Sequence, residues 1–367
     1  MIGQKGIPAT LGGVETCVEH LSTTLAKRGH RIIVYCRANY TPTNASANHP
    51  NVELRILPSL RTKHLDALSH TILSLIHLPR KDADLVHLHS VGPAALAPLS
   101  RFKRLPTVAT IHAADWLRAK WSAPAGFCLR RALDLAVKSA DLITTVSLSM
   151  ADFLADTYGI TAVHIPNGVA PQPPGPGTLS DRFGVSAKRS ILFAGRMVPE
   201  KDVHVLIQAF NNLLAQSTFA DTHLLLAGDS GFSDNYLSHL RSQAGPNTHF
   251  LGALCPADLA LLYRNASVCV LPSHLEGMSL VLLEAASHSC PVIAADIPEN
   301  RNTLSDFARY FQPRSAQHLQ DALSNILNNP PPTTELATAR RHVLDNCSWD
   351  KIARRMEDAY RCVLSRT

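Results

Sequence analysis

The chain has 367 residues, of which 46% are hydrophobic and 17% are charged. This length and balance indicate a globular protein with room for two domains, and they exclude a disordered chain. Residues 1–168 hold 18 Lys and Arg against 11 Asp and Glu, so their formal charge is +7. The remaining residues carry −1, and the whole chain carries +6. A basic N-terminal half suits an anionic membrane surface or an anionic lipid-linked substrate, with ordinary surface charge as the alternative.

Several classes of protein are disfavoured by the composition. No run of about 18 uncharged apolar residues occurs, so we expect no transmembrane helix, and the first ten residues do not resemble a signal peptide. The eight cysteines include no CxxC pair, which favours a reduced, cytoplasmic protein. His87 and His89 give only a weak metal signal. Without a dense basic cluster or a helix-turn-helix pattern, nucleic acid is not an expected partner.

The chain opens with a predicted strand that is unusually short. Residues 1–3 look like the tail of a strand, whereas a doubly wound domain should open with about five apolar residues. Either the strand is truncated or the start site is placed too late, and we expect an upstream extension of the reading frame to add an apolar run. Gly12 and Gly13 then precede a predicted helix, where glycines let the backbone approach a phosphate closely. Any tight turn could also use such a pair.

The rest of the first half alternates predicted strands and helices. His112 comes directly after the strand at 107–111, at the edge where parallel sheets bind ligands, although a histidine there is more often structural. The predicted strands are 31–36, 52–57, 85–89, 107–111, 142–146 and 163–165, and the predicted helices are 14–28, 65–78, 126–139 and 148–158.

A segment rich in proline and glycine, residues 169–178, is the predicted linker between two domains, 1–168 and 179–348. After it, a strand at 190–195 leads into a loop that carries Arg196 and Lys201. Arginine can bind a diphosphate through two parallel hydrogen bonds and lysine adds a compact charge, although loop cations are usually only solvated. The remaining predicted elements are strands at 223–228, 248–252, 268–271 and 292–295, and helices from about 202 and at 258–265, 278–288, 335–346 and 349–364.

Two carboxylates mark the predicted strand–loop–helix–strand unit at 268–295. Glu276 lies in its loop and Glu284 in its nearly all-apolar helix, with seven residues between them. A diphosphate at the start of that helix would have one carboxylate near each of its two ends. A nucleotide sugar has this shape, with sugar hydroxyls at one end and ribose hydroxyls at the other. A single helical glutamate is more often solvated or salt-bridged.

The start of the same helix is also a candidate anion site. The free N–H groups near Gly277, Met278 and Ser279 would form the positive end of the helix dipole. Together with the two cations and two carboxylates, these groups can converge on one diphosphate.

At this point the chain resembles the group 1 glycosyltransferases of family 4, which have the GT-B fold. The resembling stretches span nearly the whole chain and are KGIPATLGGVE, HAADWLRAKW, IPNGV, GRMVPEKDVHVLIQAF and LEGMSLVLLEA. The resemblance implies an α/β fold of two Rossmann-like, doubly wound domains facing across a cleft. The N-terminal domain would serve the acceptor, the C-terminal domain would bind the nucleotide sugar, and the helix at 349–367 would return to the N-terminal domain.

The resemblance also implies roles for the candidate residues. Retention of configuration would be expected, with no bound metal or cofactor. Ala113 departs from the family, whose members often carry glycine there. The implied roles are donor-diphosphate contact for Gly12, Gly13, Gly277, Met278 and Ser279, neutralisation of that diphosphate by Arg196 and Lys201, sugar binding by Glu276, ribose binding by Glu284, and a place beside the reacting centre for His112.

The leading hypothesis is therefore a cytoplasmic hexosyltransferase, acting at the inner face of the membrane in cell-envelope polysaccharide or glycolipid synthesis. It would move a sugar from a nucleotide-diphosphate sugar to a glycan or lipid-linked acceptor. One alternative is a non-catalytic nucleotide-sugar-binding protein of the same fold. A weaker one is an NAD(P)-dependent oxidoreductase, although no GxGxxG follows the first strand. The nucleotide (UDP or GDP), the sugar, the linkage and the oligomeric state stay open.

Overall fold

The computed structural model describes residues 1–10, 12–62, 65–118, 121–185, 189–230 and 234–366. Leu11, Ala119 and Lys120, which belong to two of the stretches quoted above, lie outside the described residues. The chain divides into two units. Unit 1 combines Met1–Gly168 with Trp349–Thr367, and unit 2 is Val169–Ser348. Each is a parallel α/β structure.

The first residues of unit 1 join two groups of parallel strands. One group pairs β1 with β2, and the other has the order β3-β4-β5-β6. Ile2 donates its N–H to the carbonyl of His87 and accepts from the N–H of His89, both at 2.9 Å, while Tyr35 donates to the carbonyl of Met1. The short opening segment therefore lies between β1 and β3. The strands described in unit 1 are β1 Ile32–Arg37, β2 Val52–Leu57, β3 Val86–His89, β4 Thr107–Ile111, β5 Leu142–Thr145 and β6 Val163–His164.

Helices cover both faces of this sheet. Val18, Leu21 and Leu25 recur at helical spacing along α1 and are buried, as expected for an amphipathic helix. α2 to α6 pack over one hydrophobic core, whereas α1 and the last helix, α15, share another. The helices described in unit 1 are α1 Gly13–Lys27, α2 Asp66–His77, α3 Val91–Ala94, α4 Ala97–Phe102, α5 Ala123–Ser139, α6 Leu148–Tyr158 and α15 Trp349–Leu364.

A buried carboxylate adds a polar contact between α15 and the residues that follow α1. Glu357 is 3% exposed and accepts two hydrogen bonds from Arg28, at 2.8 and 2.6 Å, and it also contacts His30 at 2.9 Å. The hydrogen bonds from Arg28 are the main reason why the pKa of Glu357 is lowered to about 2. The carboxylate therefore stabilises the folded state only while it is ionised.

We expect Glu357→Gln to lower the free energy of unfolding at pH 7 by about 2 kcal/mol, because the charge-assisted pair is lost. Since the pKa is lowered on folding, this stabilisation is complete above about pH 4.5 and disappears as the pH falls towards 2. Urea unfolding of both proteins across this range measures the difference. Asp358→Asn, at an exposed position on the same helix, is the control and should show little change. An equal loss at pH 7 and at pH 2.5 would contradict the assignment.

Unit 2 is organised around a parallel sheet with the order β12-β11-β10-β7-β8-β9. Alternate residues of β7 point to opposite sides, so that Ile191 and Phe193 contribute to one core and Leu192 and Ala194 to the other. The strands described are β7 Arg189–Ala194, β8 Thr222–Ala227, β9 Thr248–Gly252, β10 Val268–Leu271, β11 Val292–Ala295 and β12 Arg309–Phe311. The helices described are α7 Leu179–Phe183, α8 Val203–Leu214, α9 Asp234–Gln243, α10 Pro256–Asn265, α11 Leu280–Ser287, α12 Pro298–Leu304, α13 Ala316–Asn328 and α14 Thr333–Cys347.

Four predicted helix starts were wrong by two or three residues, and that of α14 lies at Thr333 and not at residue 335. α5 and α10 begin earlier than predicted, because each has a proline in its first turn, a position that proline favours. α11 begins at Leu280 and not at Met278, since Ser279 has extended dihedral angles and is the N-cap residue. The predicted linker begins inside unit 2, where the N–H of Val169 donates to the carbonyl of Cys347 at 2.7 Å.

Candidate active site

The strand order of unit 2 places the candidate residues at one edge of the sheet. β7 lies between β10 and β8, so the chain leaves β7 in one direction and reaches β10 in the other. Open α/β sheets bind ligands at such a switch point, beyond the carboxyl ends of the strands. Arg196 and Lys201 follow β7, and Glu276 follows β10. All three therefore occupy segments that leave the switch point.

Two glycines allow the ends of β7 and β8 to lie very close together. A Cβ atom added to Gly228 would come within 1.9 Å of the carbonyl oxygen of Gly195, and both residues have positive φ angles. Only glycine fits such an approach. Arg196 follows directly and is partly buried at the start of the loop.

Lys201 and Glu276 form an ion pair across the switch point. Nζ of Lys201 lies 2.5 Å from Oε1 of Glu276, and the two side chains are only 16% and 9% exposed. Lys201 ends a 3-10 turn, Pro199–Lys201, and Glu276 lies in the loop after β10. At this exposure the pair is screened less than a surface salt bridge. The structure thus places a cation and a carboxylate side by side where a ligand of an α/β sheet would lie.

A second pair, which the sequence reasoning missed, joins the same two segments. Asp202 is 3% exposed, and its Oδ2 lies 2.6 Å from Nδ1 of His274. Asp202 is also in the left-handed conformation, with φ 48° and ψ 36°, which is uncommon for residues other than glycine. An aspartate at the start of a predicted helix was the available signal, but its partner is 72 residues away. This pair holds the segment after β7 against the loop after β10.

Glu284 occupies a separate, largely buried position in α11. Its Oε2 accepts a hydrogen bond from the hydroxyl of Tyr263 at 3.0 Å, a partner on α10 that the sequence did not reveal. Burial raises the pKa of Glu284 to about 7, although part of its surface remains accessible. The carboxyl group is therefore close to half-protonated at neutral pH. Strong pKa perturbation is typical of functional carboxylates.

The expected anion site lies at the start of α11, which begins at Leu280 with Ser279 as its N-cap residue. The amide groups without a partner inside the helix are therefore those of residues 279–282, and the donor-binding role of Gly277, Met278 and Ser279 stays a prediction. The Ser279 side chain makes no capping hydrogen bond. Because Ser279 does not cap them, the amides of the first turn of α11 remain suitable for an anionic ligand.

In unit 1, Gly12 and Gly13 begin α1 as the N-cap and first residue, and Gly12 has φ 111°. A Cβ atom on Gly12 would come within 2.1 Å of Oε2 of Glu15, whose carboxylate is buried and accepts from the N–H of Lys5 at 3.0 Å. Sequence reasoning missed Glu15. A phosphate at this helix end would meet a like charge, so the donor-binding role of the glycine pair stays a prediction.

His112 is the end of a buried chain of histidines at the carboxyl edge of the unit 1 sheet. Its Nε2 lies 3.1 Å from Nδ1 of His89, and the rings of His89 and His87 are 4.0 Å apart. Burial lowers the pKa of all three, that of His112 to about 4. His112 is therefore a neutral imidazole at pH 7, and its place beside the reacting centre stays a prediction. In the described part of the chain, no cluster of three or more His, Cys, Asp or Glu side chains could hold a metal.

Comparison with known proteins identifies the family. Residues 11–172 match the family described as Glycosyltransferase Family 4, and residues 181–359 match Glycosyl transferases group 1. The chain belongs to the group 1 glycosyltransferases of family 4. Solved structures similar to this chain are GT-B glycosyltransferases, and the chain has the two Rossmann-like units of that fold. The expected fold class is therefore confirmed.

Relatives of this glycosyltransferase cover nearly its full length. Glycogen synthase of Mycobacterium tuberculosis is 27% identical over 400 residues, which cover 98% of this chain and 93% of the relative. Sucrose-phosphate synthase from Thermosynechococcus elongatus has a TM-score of 0.81 at 20% identity, with 98% and 97% of the two chains covered. The Anabaena protein HepE, solved in complex with UDP-glucose, has a TM-score of 0.79 at 17% identity, with 97% and 98% covered.

Proposed function

We propose that this glycosyltransferase moves a hexosyl group from a nucleotide-diphosphate sugar to a glycan or lipid-linked acceptor. The observation that carries the proposal is the Lys201–Glu276 ion pair at the switch point of the unit 2 sheet. Family membership removes the oxidoreductase alternative. The names of relatives support a nucleotide-sugar donor, since one is a glycogen synthase and another was solved with UDP-glucose.

The ion pair suits transfer because negative charge develops on the departing diphosphate. A preformed cation at that position stabilises the transition state without being reoriented during the reaction. We assign this role to Lys201, with Arg196 as the second cation. Glu276 would hold Lys201 in place before the donor binds, and would then accept hydrogen bonds from the sugar hydroxyls while the ammonium group contacts phosphate.

The other end of the donor would be bound by Glu284. A carboxylate can accept hydrogen bonds from two neighbouring ribose hydroxyls, and these would replace the solvation that burial removes. The uncapped amides of residues 280–282 would bind the diphosphate between the two carboxylates. His112, as a neutral imidazole, would hydrogen-bond the sugar or the acceptor beside the reacting centre.

We further propose transfer without a bound metal, because Arg196, Lys201 and the amides of α11 supply the positive charge that a metal would provide. Retention of anomeric configuration, which the resemblance to the family implies, is part of the same proposal. A cytoplasmic enzyme of cell-envelope polysaccharide or glycolipid synthesis fits these properties, with peripheral contact to an anionic membrane through the basic N-terminal half. Among the described residues, no helix combines the length and apolarity needed to cross a membrane.

The test is to incubate the purified protein with a panel of UDP- and GDP-hexoses, and with glycan and lipid-linked acceptors, with and without EDTA. We expect nucleoside diphosphate release that depends on both an acceptor and one preferred donor, that survives EDTA, and that gives a product with the donor's anomeric configuration. Binding of a nucleotide sugar by calorimetry without transfer to any acceptor would favour the non-catalytic alternative. Activity that is abolished by EDTA and restored by a divalent cation would overturn the proposal that transfer needs no bound metal.

A further inference from the structure

Positive charge and exposed apolar side chains coincide in one segment of unit 1. Residues 60–138 contain 12 Lys and Arg against five Asp and Glu, so they account for the entire surplus of +7 in residues 1–168. Among the described residues, the exposed large apolar side chains fall mainly in the same segment. They are Leu60, Leu65, Ile76, Phe102, Leu117, Phe127 and Leu135, against Leu148, Val163 and Leu364 elsewhere.

The segment forms one surface because α2, α4 and α5 pack side by side over the same core. Phe102, at the end of α4, is 87% exposed, and Ile76, near the end of α2, is 67% exposed. Lys103 links these two helix ends, since its Nζ donates to the carbonyls of Ile76 at 2.8 Å and Leu78 at 2.6 Å. The exposed side chains of Ile76 and Phe102 therefore lie close to Lys103 at the ends of the two helices.

Basic side chains surround these apolar groups. Arg101 and Arg104 flank Phe102 in sequence, and both are exposed. On α5, the guanidinium of Arg131 lies 5.1 Å from the ring centre of the exposed Phe127. Two carboxylates pair with cations of this surface, since Asp134 accepts from both Arg131 and Tyr158, and Asp141 lies 3.8 Å from Arg101. We call the surface made by Ile76, Arg101, Phe102, Arg104, Phe127, Arg131 and Leu135 the α2–α4–α5 face.

We propose that the α2–α4–α5 face binds the surface of an anionic lipid bilayer. Apolar side chains surrounded by Lys and Arg match a membrane interface, where the side chains enter the acyl boundary and the cations pair with anionic headgroups. A protein partner would bury such side chains against a complementary apolar surface and would not need this surplus of charge. The inference deepens the membrane contact of the proposed function and rests on it.

The test measures co-sedimentation of the full-length protein with vesicles of 30% phosphatidylglycerol in phosphatidylcholine, and with vesicles of phosphatidylcholine alone. We expect binding to the anionic vesicles that weakens at high salt. Arg101→Gln with Arg104→Gln should lower the partition coefficient about thirtyfold. Phe102→Ser should lower it about tenfold as well, because an apolar ring no longer enters the bilayer.

Matched controls lie on α15 of the same unit, where Arg354→Gln and Leu364→Ser remove an exposed cation and an exposed apolar side chain. These should leave vesicle binding unchanged. Donor binding by calorimetry should be unchanged in all variants, which separates failure of this inference from failure of the proposed function. Wild-type binding in the Phe102→Ser variant, equal loss in the α15 controls, or no binding to anionic vesicles would overturn the proposal.

Discussion

Lys201→Met is expected to lower kcat by about 10²–10³-fold, because the ammonium group that stabilises the departing diphosphate is lost while the length of the side chain is kept. Lys201→Arg keeps the charge but not the compact ammonium, so it should retain part of the activity. Both are measured as nucleoside diphosphate release from the preferred donor. Lys27→Met, at an exposed position on α1, is the matched control and should leave kcat unchanged.

Loss of activity in Lys201→Met could also arise from unfolding, since Glu276 would be left unpaired at 9% side-chain exposure. Removing one partner of such a pair costs about 1–3 kcal/mol of stability. The double variant Lys201→Met with Glu276→Gln removes both charges, so it should regain stability in urea unfolding without regaining transfer. Near-normal kcat in the single or the double variant would refute the role given to Lys201.

Glu284→Gln is expected to stabilise the unliganded protein while it weakens donor binding. Burial raises the pKa of Glu284 from 4.5 to about 7, so the folded protein holds a proton that the unfolded chain releases. Stability therefore falls as the pH rises between these values, and the full penalty is present above pH 7. Since one pKa unit corresponds to about 1.4 kcal/mol, glutamine should add up to about 3 kcal/mol to the free energy of unfolding at pH 8 and little at pH 4.

Donor affinity should rise with pH, whereas the stability of the unliganded protein falls. The ionised carboxylate is the better acceptor for ribose hydroxyls, so the Kd of the wild-type protein for a nucleotide sugar should fall as the pH rises from 6 to 8. Glu284→Gln should bind more weakly and without this pH dependence, because the diphosphate of an intact nucleotide sugar does not titrate in this range. Calorimetry at pH 6 and pH 8 measures the Kd of both proteins. Glu335→Gln on the surface of unit 2 is the control, and a wild-type pH profile in Glu284→Gln would contradict the assignment.

The predicted strands and helices occur in the predicted order, because hydrophobic periodicity is a local property. Among the described residues, seven further α-helices and strands were not predicted, namely α3, α4, α7, α9, α12, α13 and β12. The predicted strands at 190–195 and 268–271 contain the uninterrupted apolar runs 191–194 and 268–271, as buried parallel strands require, and the structure has β7 and β10 there. Helix starts were less certain, since they depend on the conformation of single residues. Ser279 is extended, so α11 begins two residues later than the apolar pattern suggests.

The sequence by itself determined the family, the α/β class and the charged residues at the two strand–helix crossings, because each is encoded in residues that lie near one another in the chain. Only the tertiary structure decided which of them meet. Lys201 pairs with Glu276, Asp202 with His274 and Glu284 with Tyr263, across separations of 75, 72 and 21 residues. These contacts depend on β7 lying beside β10 in the sheet and on the packing of α10 near α11. The raised pKa of Glu284 has the same origin, since desolvation is a property of the packed interior and not of the local sequence.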